Sequence, residues 1–443
     1  MNVALTAPPK TASRAAAFFR SPWSLWLLFV LAFALRLGHS AFTTGLGRTT
    51  PNHLEYILAG ERLLKYRTLL SPLILDDTDA TVSALLPPLY VGWVAFVYAI
   101  FGSQTVASTL ILQLVNAAAT SWAASLSFQI ARRLAGTRAA WIAGGIVLLH
   151  PACVGFTRLV WDTSLFTLGV VLTLQWSIRL TERPFGAIAW LGFGLWLGGL
   201  ALLNPGLTFA YPLLVLWPLT RLHGWRSWRV IRGVSLVLLG WAVAIAPWTV
   251  RNWVQLGKLA YIRTGLPLEL WLGVCPEADP GGASVYPSQF PLRNPEVQRH
   301  VATVGEAAFI TESGQKASEG IRRDPLRFAR LTALRAADYW AGTVFIHSAS
   351  GAGWPETKGR LLLMAILLAE VLAIATLLVL VRHVDPNVWW MLGIVVVFSL
   401  IYCVTHVEIR FRAPTEPIMA ILLSILATAA INHPPPRRPS PPP

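Results

Sequence analysis

Long, mostly apolar runs recur along the whole chain, and that pattern leaves few folds open. A helix needs about 20 mostly apolar residues to cross the hydrocarbon core of a bilayer. No water is available there, so each crossing segment must satisfy its own backbone hydrogen bonds. The runs with this character are Pro22–Ser40, Thr105–Ala131, Ala139–Phe156, Thr163–Ile178, Phe185–Leu203, Leu207–Leu219, Gly233–Val250, Leu361–Val381, Val388–Val404 and Ala413–Ile431. They imply an all-α polytopic membrane protein with about ten transmembrane helices. The composition agrees, since 55% of the 443 residues are hydrophobic and 13% are charged. A net charge of +15 would suggest nucleic acid in a soluble protein. Here most Arg and Lys lie in short loops between apolar runs, where positive-inside bias puts them, so no nucleic-acid partner is implied. Cys153, Cys275 and Cys403 are scattered and have no metal-binding spacing. Lys10, Arg14 and Arg20 precede the first run without a clear small-residue cleavage site, so that run reads as a retained span.

One further run, Leu85–Gly102, is apolar but short and opens near Pro87-Pro88. If it crossed the membrane, Arg132, Arg133 and Arg138 would fall outside. If it lies in the interface, they fall inside, as the charge rule prefers. Residues 41–104 then form one outer loop with interfacial helices, inside a first membrane segment of residues 1–250. Residues 251–359 are polar enough to be a water-exposed, mostly helical cap. They carry turn signals at Asp279-Pro280-Gly281-Gly282 and Asn294-Pro295, and helical runs over Glu296–Ser313 and Lys316–Tyr339, broken near Asp324-Pro325. Residues 360–431 supply the last membrane helices, and 432–443 read as a disordered Pro-rich tail. Both termini are then cytoplasmic.

On this topology the ionisable groups outside the spans gather on one face. Glu55 opens an amphipathic stretch just after the first span, where an ionisable group is a candidate functional residue. The plain alternative is a capping box, with Asn52 as the cap and Glu55 three residues on. Asp162 sits in the short turn before Thr163, either as a cap or as a second acid at the same site. Two such carboxylates can position an acceptor, share a base role or hold a divalent cation, and the residues do not choose among these. Arg251, Arg410 and Arg412 stand at outer helix ends, where guanidinium forks suit phosphate but interfacial snorkelling is equally ordinary. Arg62, Lys65 and Arg67 either join them or form a solvated face. Asp76, Asp77 and Asp79 read as a solvated acidic loop, while His53 (beside Glu55), His150 and His406 are isolated.

Several short motifs, in this order, resemble bacterial members of glycosyltransferase family 39 within the C-type membrane glycosyltransferase superfamily. They are Glu55-Tyr-Ile-Leu-Ala-Gly-Glu-Arg-Leu-Leu, Pro87-Pro-Leu-Tyr with Phe101-Gly, and Val160-Trp-Asp-Thr-Ser-Leu. Leu202-Leu-Asn-Pro, Pro247-Trp-Thr-Val-Arg-Asn252, Leu272-Gly273 and Glu408-Ile-Arg-Phe-Arg-Ala-Pro414 complete the set, which spans nearly the whole chain. The resemblance implies an inverting, mannosyltransferase-like enzyme of the cytoplasmic membrane, with its site on the outer face. Such an enzyme moves a hexosyl or pentosyl group from a polyprenyl-phosphate donor to a hydroxyl of a protein, lipid or glycan acceptor. It implies catalytic roles for Glu55 and Asp162, and substrate contacts from Arg251, Asn252, Arg410, Arg412, Tyr56 and His53. Many relatives carry Asp where this chain has Asn52, which leaves Glu55 as the acid of that stretch. The rival class is a transporter or lipid flippase, which would place polar residues at mid-membrane and show broken helices or inverted repeats. Here Asn116, Gln175 and Glu370 are the few polar residues well inside spans, and charges gather at one face. A scaffold whose cap binds a partner is a third reading.

Overall fold

The computed structural model describes residues 23–48, 54–182, 184–278, 288–341, 354–381 and 384–432. Among them the chain is helical, apart from one isolated antiparallel bridge between Leu70 and Val82. The first helix, α1 (Trp23–Thr43), ends beside the start of α4 (Val106–Leu149). Gly47 N donates to Gln113 Oε1 at 2.9 Å, and Gln113 Nε2 donates back to the Arg48 carbonyl at 2.9 Å. The chain therefore leaves the bundle and returns to it at the same end.

Between these points lie α2 (Glu55–Tyr66) and α3 (Pro88–Phe101). The 14 residues of α3 extend about 21 Å, short of a hydrocarbon core of about 30 Å. Both its ends stay against α2. Tyr90 meets Tyr56 edge to face with ring centroids 4.8 Å apart. Just past the other end, Ser103 and Gln104 donate to Glu61 at 2.5 and 2.9 Å.

The next helix is a hairpin rather than a rod. Phe128 and Trp141 in α4 have ring centroids 5.0 Å apart, although thirteen residues of straight helix would separate them by about 20 Å. The reversal is at Gly136, where φ is 86° and ψ is −173°, a conformation that a side chain disfavours. Arg133 beside this turn pairs with Glu182 at the far end of α5 (Thr163–Leu180). Arg36, buried inside α1, donates to Thr120 Oγ1 at 2.8 Å and to the Val147 carbonyl at 3.1 Å, and so ties α1 to both arms of the hairpin.

Helices α6 (Ala187–Leu203), α7 (Tyr211–His223) and α8 (Trp228–Leu256) follow. A Cβ on Gly194 would collide with the Val237 carbonyl, and one on Gly240 with the Leu191 carbonyl. Small residues thus let the α6 and α8 backbones touch, as lipid-embedded helices require in the absence of a hydrophobic drive between them. The expected run Leu207–Leu219 starts differently. Pro205–Ala210 is a 3-10 turn, because the Asn204 side chain accepts from Gly206 N at 2.9 Å and α7 begins only at Tyr211.

The cap comprises α9 (Leu266–Val274), α10 (Pro295–Val304), α11 (Glu306–Arg323) and α12 (Pro325–Ala341). Its first break falls at Gly305, with φ of 83°, and not near Gly314 as the periodicity suggests. Gly314 stays helical and packs on Pro267 of α9. The turn at Asp279–Gly282 lies outside the described residues. Among the described residues the cap shares its core with the first outer loop: Leu268, Leu272, Val301, Phe309 and Ile310 pack with Leu73, Ile74 and Leu85.

Finally α13 (Trp354–Leu380), α14 (Pro386–Val404) and α15 (Glu416–Asn432) complete the bundle, with α15 packed along α4. Helices stand at each position of the ten expected runs, and among the described residues six helices are long and apolar enough to cross a membrane. Large side chains such as Val30, Leu31, Leu238, Leu239, Val243, Leu372 and Val379 are exposed on the outside of the bundle. An outer surface this apolar suits lipid rather than water.

Candidate active site

Five separate pieces of chain converge at the end of the bundle under the cap: the start of α2, the turn before α5, the turn after α6 that carries Asn204, the strap leading into α9, and the turn between α14 and α15. Together they line a cavity of about 1050 Å³. A cavity of this size suits a ligand larger than a single sugar.

Glu55 lines the cavity as the first residue of α2. The helix is capped by Leu54 without a side-chain hydrogen bond, so Glu55 does not sit at the third position that a capping box requires. Asn52 and His53 lie outside the described residues. Burial pushes the Glu55 carboxyl above its ordinary range, and the nearby Arg410 opposes that shift.

Tyr56 and Asp162 form a buried pair. Tyr56 Oη donates to Asp162 Oδ2 at 2.9 Å, and Asn204 Nδ2 donates to the same oxygen at 2.8 Å. The Tyr56 ring is wedged edge to face against Tyr90 and Trp161, at 4.8 and 4.9 Å. Asp162 precedes α5 but makes no side-chain cap bond to it, so capping is not its role. Burial raises its pKa, while the bonds from Asn204 and Tyr56 and the charges of Arg410 and Arg263 pull the other way.

Arg410 enters the cavity from the short turn Ile409–Arg412. Its guanidinium lies 4.3 Å from the Trp161 ring centroid, and its Nε is 2.6 Å from Glu408 Oε2. Burial alone would weaken its charge, but Glu408, Glu55, Glu269 and Asp162 hold it firmly protonated. Arg263 Nη2 donates to Glu269 Oε1 at 3.1 Å. His406 Nδ1 lies 3.3 Å from Glu269 Oε2. Burial works against the charge on Glu269, yet His406, Arg263 and Arg410 hold its pKa below the usual value. The inner end of the cavity therefore holds four carboxylates interleaved with two arginines and a histidine. Lys258 and Arg322 line it further toward the cap.

Of the residues singled out in the sequence, Glu55, Tyr56, Asp162 and Arg410 come together here. Arg251 does not: it donates to the carbonyls of Ser83 and Leu69 at 2.6 and 3.4 Å and stacks over Trp248. Asn252 is fully buried and donates to the Ala260 carbonyl at 2.9 Å. Arg412 points away from the cavity and is consumed by Glu370, Glu416 and two backbone carbonyls. Arg62 and Lys65 pair with Asp77, and Asp76 accepts from Thr78, so the acidic loop is an internal brace. Sequence reasoning assigned no role to Arg263, Glu269 or Glu408. The one signal for Glu269 is a lone carboxylate inside the apolar run Leu266-Pro-Leu-Glu-Leu-Trp.

No protein-family model and no curated protein matches the chain. Among solved structures, two crystal structures of ArnT from Cupriavidus metallidurans are similar. The form bound to undecaprenyl phosphate aligns with a TM-score of 0.43 and 14% identity over 92% of this chain and 78% of that one. The apo form aligns with a TM-score of 0.40 and 16% identity over the same shares. At these levels the likeness assigns no function, which rests instead on the residues of the cavity.

Proposed function

We propose that the protein is an integral-membrane glycosyltransferase of the C type. In this reading it moves a hexosyl or pentosyl group from a polyprenyl-phosphate donor to an acceptor hydroxyl, with inversion, on the outer face of the membrane. The observation that carries the reading is the convergence of Glu55 and Asp162, from separate loops, on one cavity that also holds Arg410 and Arg263. The order of the sequence motifs supports it independently.

The chemistry follows from what each group can do. A lipid phosphate is a good leaving group, so no strong acid is needed at the donor. The acceptor hydroxyl must lose its proton as its oxygen bonds to the anomeric carbon, and a positioned carboxylate is the base for that. Glu55 takes the proton as the bond between anomeric carbon and phosphate oxygen breaks. Asp162, held by Tyr56 and Asn204, orients the acceptor or sugar without itself being free to swing. Arg410 and Arg263 face the charge that grows on the departing phosphate, in a site where the cap limits water.

A direct test uses purified protein, a polyprenyl-phosphate sugar and a hydroxyl acceptor. The wild type is expected to release polyprenyl phosphate. Glu55→Gln keeps size and should bind donor normally while transfer falls about a hundredfold or more, the usual worth of a positioned base. Because burial raises the Glu55 pKa above 4.5 and only the deprotonated form accepts a proton, wild-type rate should fall with acid at a pH above that value. Full transfer by the Gln variant would sink the base assignment, and absence of donor binding by the wild type would sink the function.

A further inference from the structure

A second buried polar cluster lies behind the cavity, where α4, α13 and α15 meet. His150 ends α4, Glu370 comes from α13 and Glu416 starts α15, with exposures of 4%, 6% and 1%. Each offers one ligand atom, and these atoms all lie within 4.8 Å of one another. Arg412 holds the outer oxygens: Nη2 donates to Glu370 Oε2 at 3.0 Å, and Nε lies 2.6 Å from Glu416 Oε1. Glu370 Oε1, Glu416 Oε2 and both ring nitrogens of His150 are buried without a hydrogen-bond partner among the described residues.

We propose that these three inward-facing atoms bind a divalent transition metal of the zinc class. His150 Nε2 and Glu416 Oε2 are 3.6 Å apart. Ligand atoms on a tetrahedral ion with bonds of about 2.0–2.1 Å stand roughly 3.3 Å apart, so the site closes by inward rotation of side chains whose ligand atoms now all lie within 4.8 Å. One imidazole and two carboxylates are a donor set of that class, with a fourth place left for water. Arg412 supplies the outer layer that fixes the carboxylates by their far oxygens. A proton shared between Glu370 and Glu416 would ease the charge on the pair, but it would leave His150 Nε2, 3.6 Å from Glu416 Oε2, without a hydrogen bond in a buried site, which is costly. A metal gives each of the three side chains a bond, at one ring nitrogen of His150 and one oxygen of each carboxylate. It would also tie three helices to the turn that carries Arg410, two residues before Arg412, into the cavity.

Elemental analysis of the detergent-purified protein should find about one zinc per chain, the stoichiometry of a single site. After chelation, added Co2+ should produce the visible absorption of a tetrahedral cobalt site, and added Zn2+ should raise the melting temperature. His150→Ala and the milder His150→Gln should each weaken the metal at least tenfold, in line with losses seen even for outer-layer partners. His406→Ala, whose imidazole lies in the cavity beside Glu269, should retain it. Wild-type protein with no metal and no Co2+ spectrum would overturn the proposal in favour of a shared proton. Metal retained by both His150 variants would overturn it in favour of a different site.

Discussion

Arginines that look alike in sequence separate at the scale of single side chains. Arg410 faces the cavity over Trp161, surrounded by the carboxylates that would face a substrate. Arg251 bonds backbone carbonyls of the outer loop. Replacing Arg410 with Ala should therefore weaken donor binding by about 2–5 kcal/mol, as for loss of one partner in a buried charged contact. Arg251→Ala should leave donor affinity nearly unchanged and cost about 1.5–3 kcal/mol of stability through its lost charged hydrogen bonds. Titrating both variants with a polyprenyl phosphate, alongside their melting temperatures, separates the two roles. Equal losses of affinity would return Arg251 to the site.

Beside the apolar cluster, one buried carboxylate joins the cap helices to the first outer loop. Glu306, at the start of α11, accepts from Ser83 Oγ at 2.8 Å and from Ala84 N at 3.3 Å. Burial raises its pKa from 4.5 to about 7, against the pull of hydrogen bonds from Ser71, Ser83 and Ala84 and the charge of Arg251. The folded value lies above the unfolded one, so the docked state holds the extra proton. Its contribution is complete below pH 4.5 and is lost as pH rises through about 7. Hydrogen exchange at Ala84 should accordingly speed up between mildly acidic and mildly alkaline pH, beyond the ordinary base catalysis of exchange. Glu306→Gln, which stays neutral, should remove that extra dependence; an unchanged profile would place the linkage elsewhere.

Across the whole molecule the basic turns at Arg133 and Arg221 lie at the end of the bundle away from the cavity. The Gly136 turn pairs Arg133 with Glu182, and Arg221 at the end of α7 donates to Asn387 at the start of α14. The cavity sits at the other ends of these helices. With both ends of α3 held on α2 and the chain returning at Gln113, a cytoplasmic Arg132–Arg138 turn is the orientation that positive-inside bias favours. A cysteine placed at Arg138 should resist a membrane-impermeant thiol reagent in intact cells and react once the membrane is opened. Labelling in intact cells would reverse the orientation and put Glu55 on the wrong face for an exported acceptor.

The sequence by itself determined the helical class and the positions of the helices, because apolar length and backbone satisfaction in lipid are local, one-dimensional constraints. It also marked Glu55 and Asp162, since an ionisable group at the mouth of an apolar bundle is visible without coordinates. Tertiary structure decided which cations accompany them. Arg410 and Arg412 are two residues apart, so on one short turn they point in different directions. One enters the cavity and the other is spent on Glu370 and Glu416. Arg263 and Glu269 reach the cavity only because the strap before α9 folds back over it, and His150 meets Glu416 across 266 positions of sequence. Contacts of that kind depend on how helices pack, and packing is set by side chains far apart in the chain.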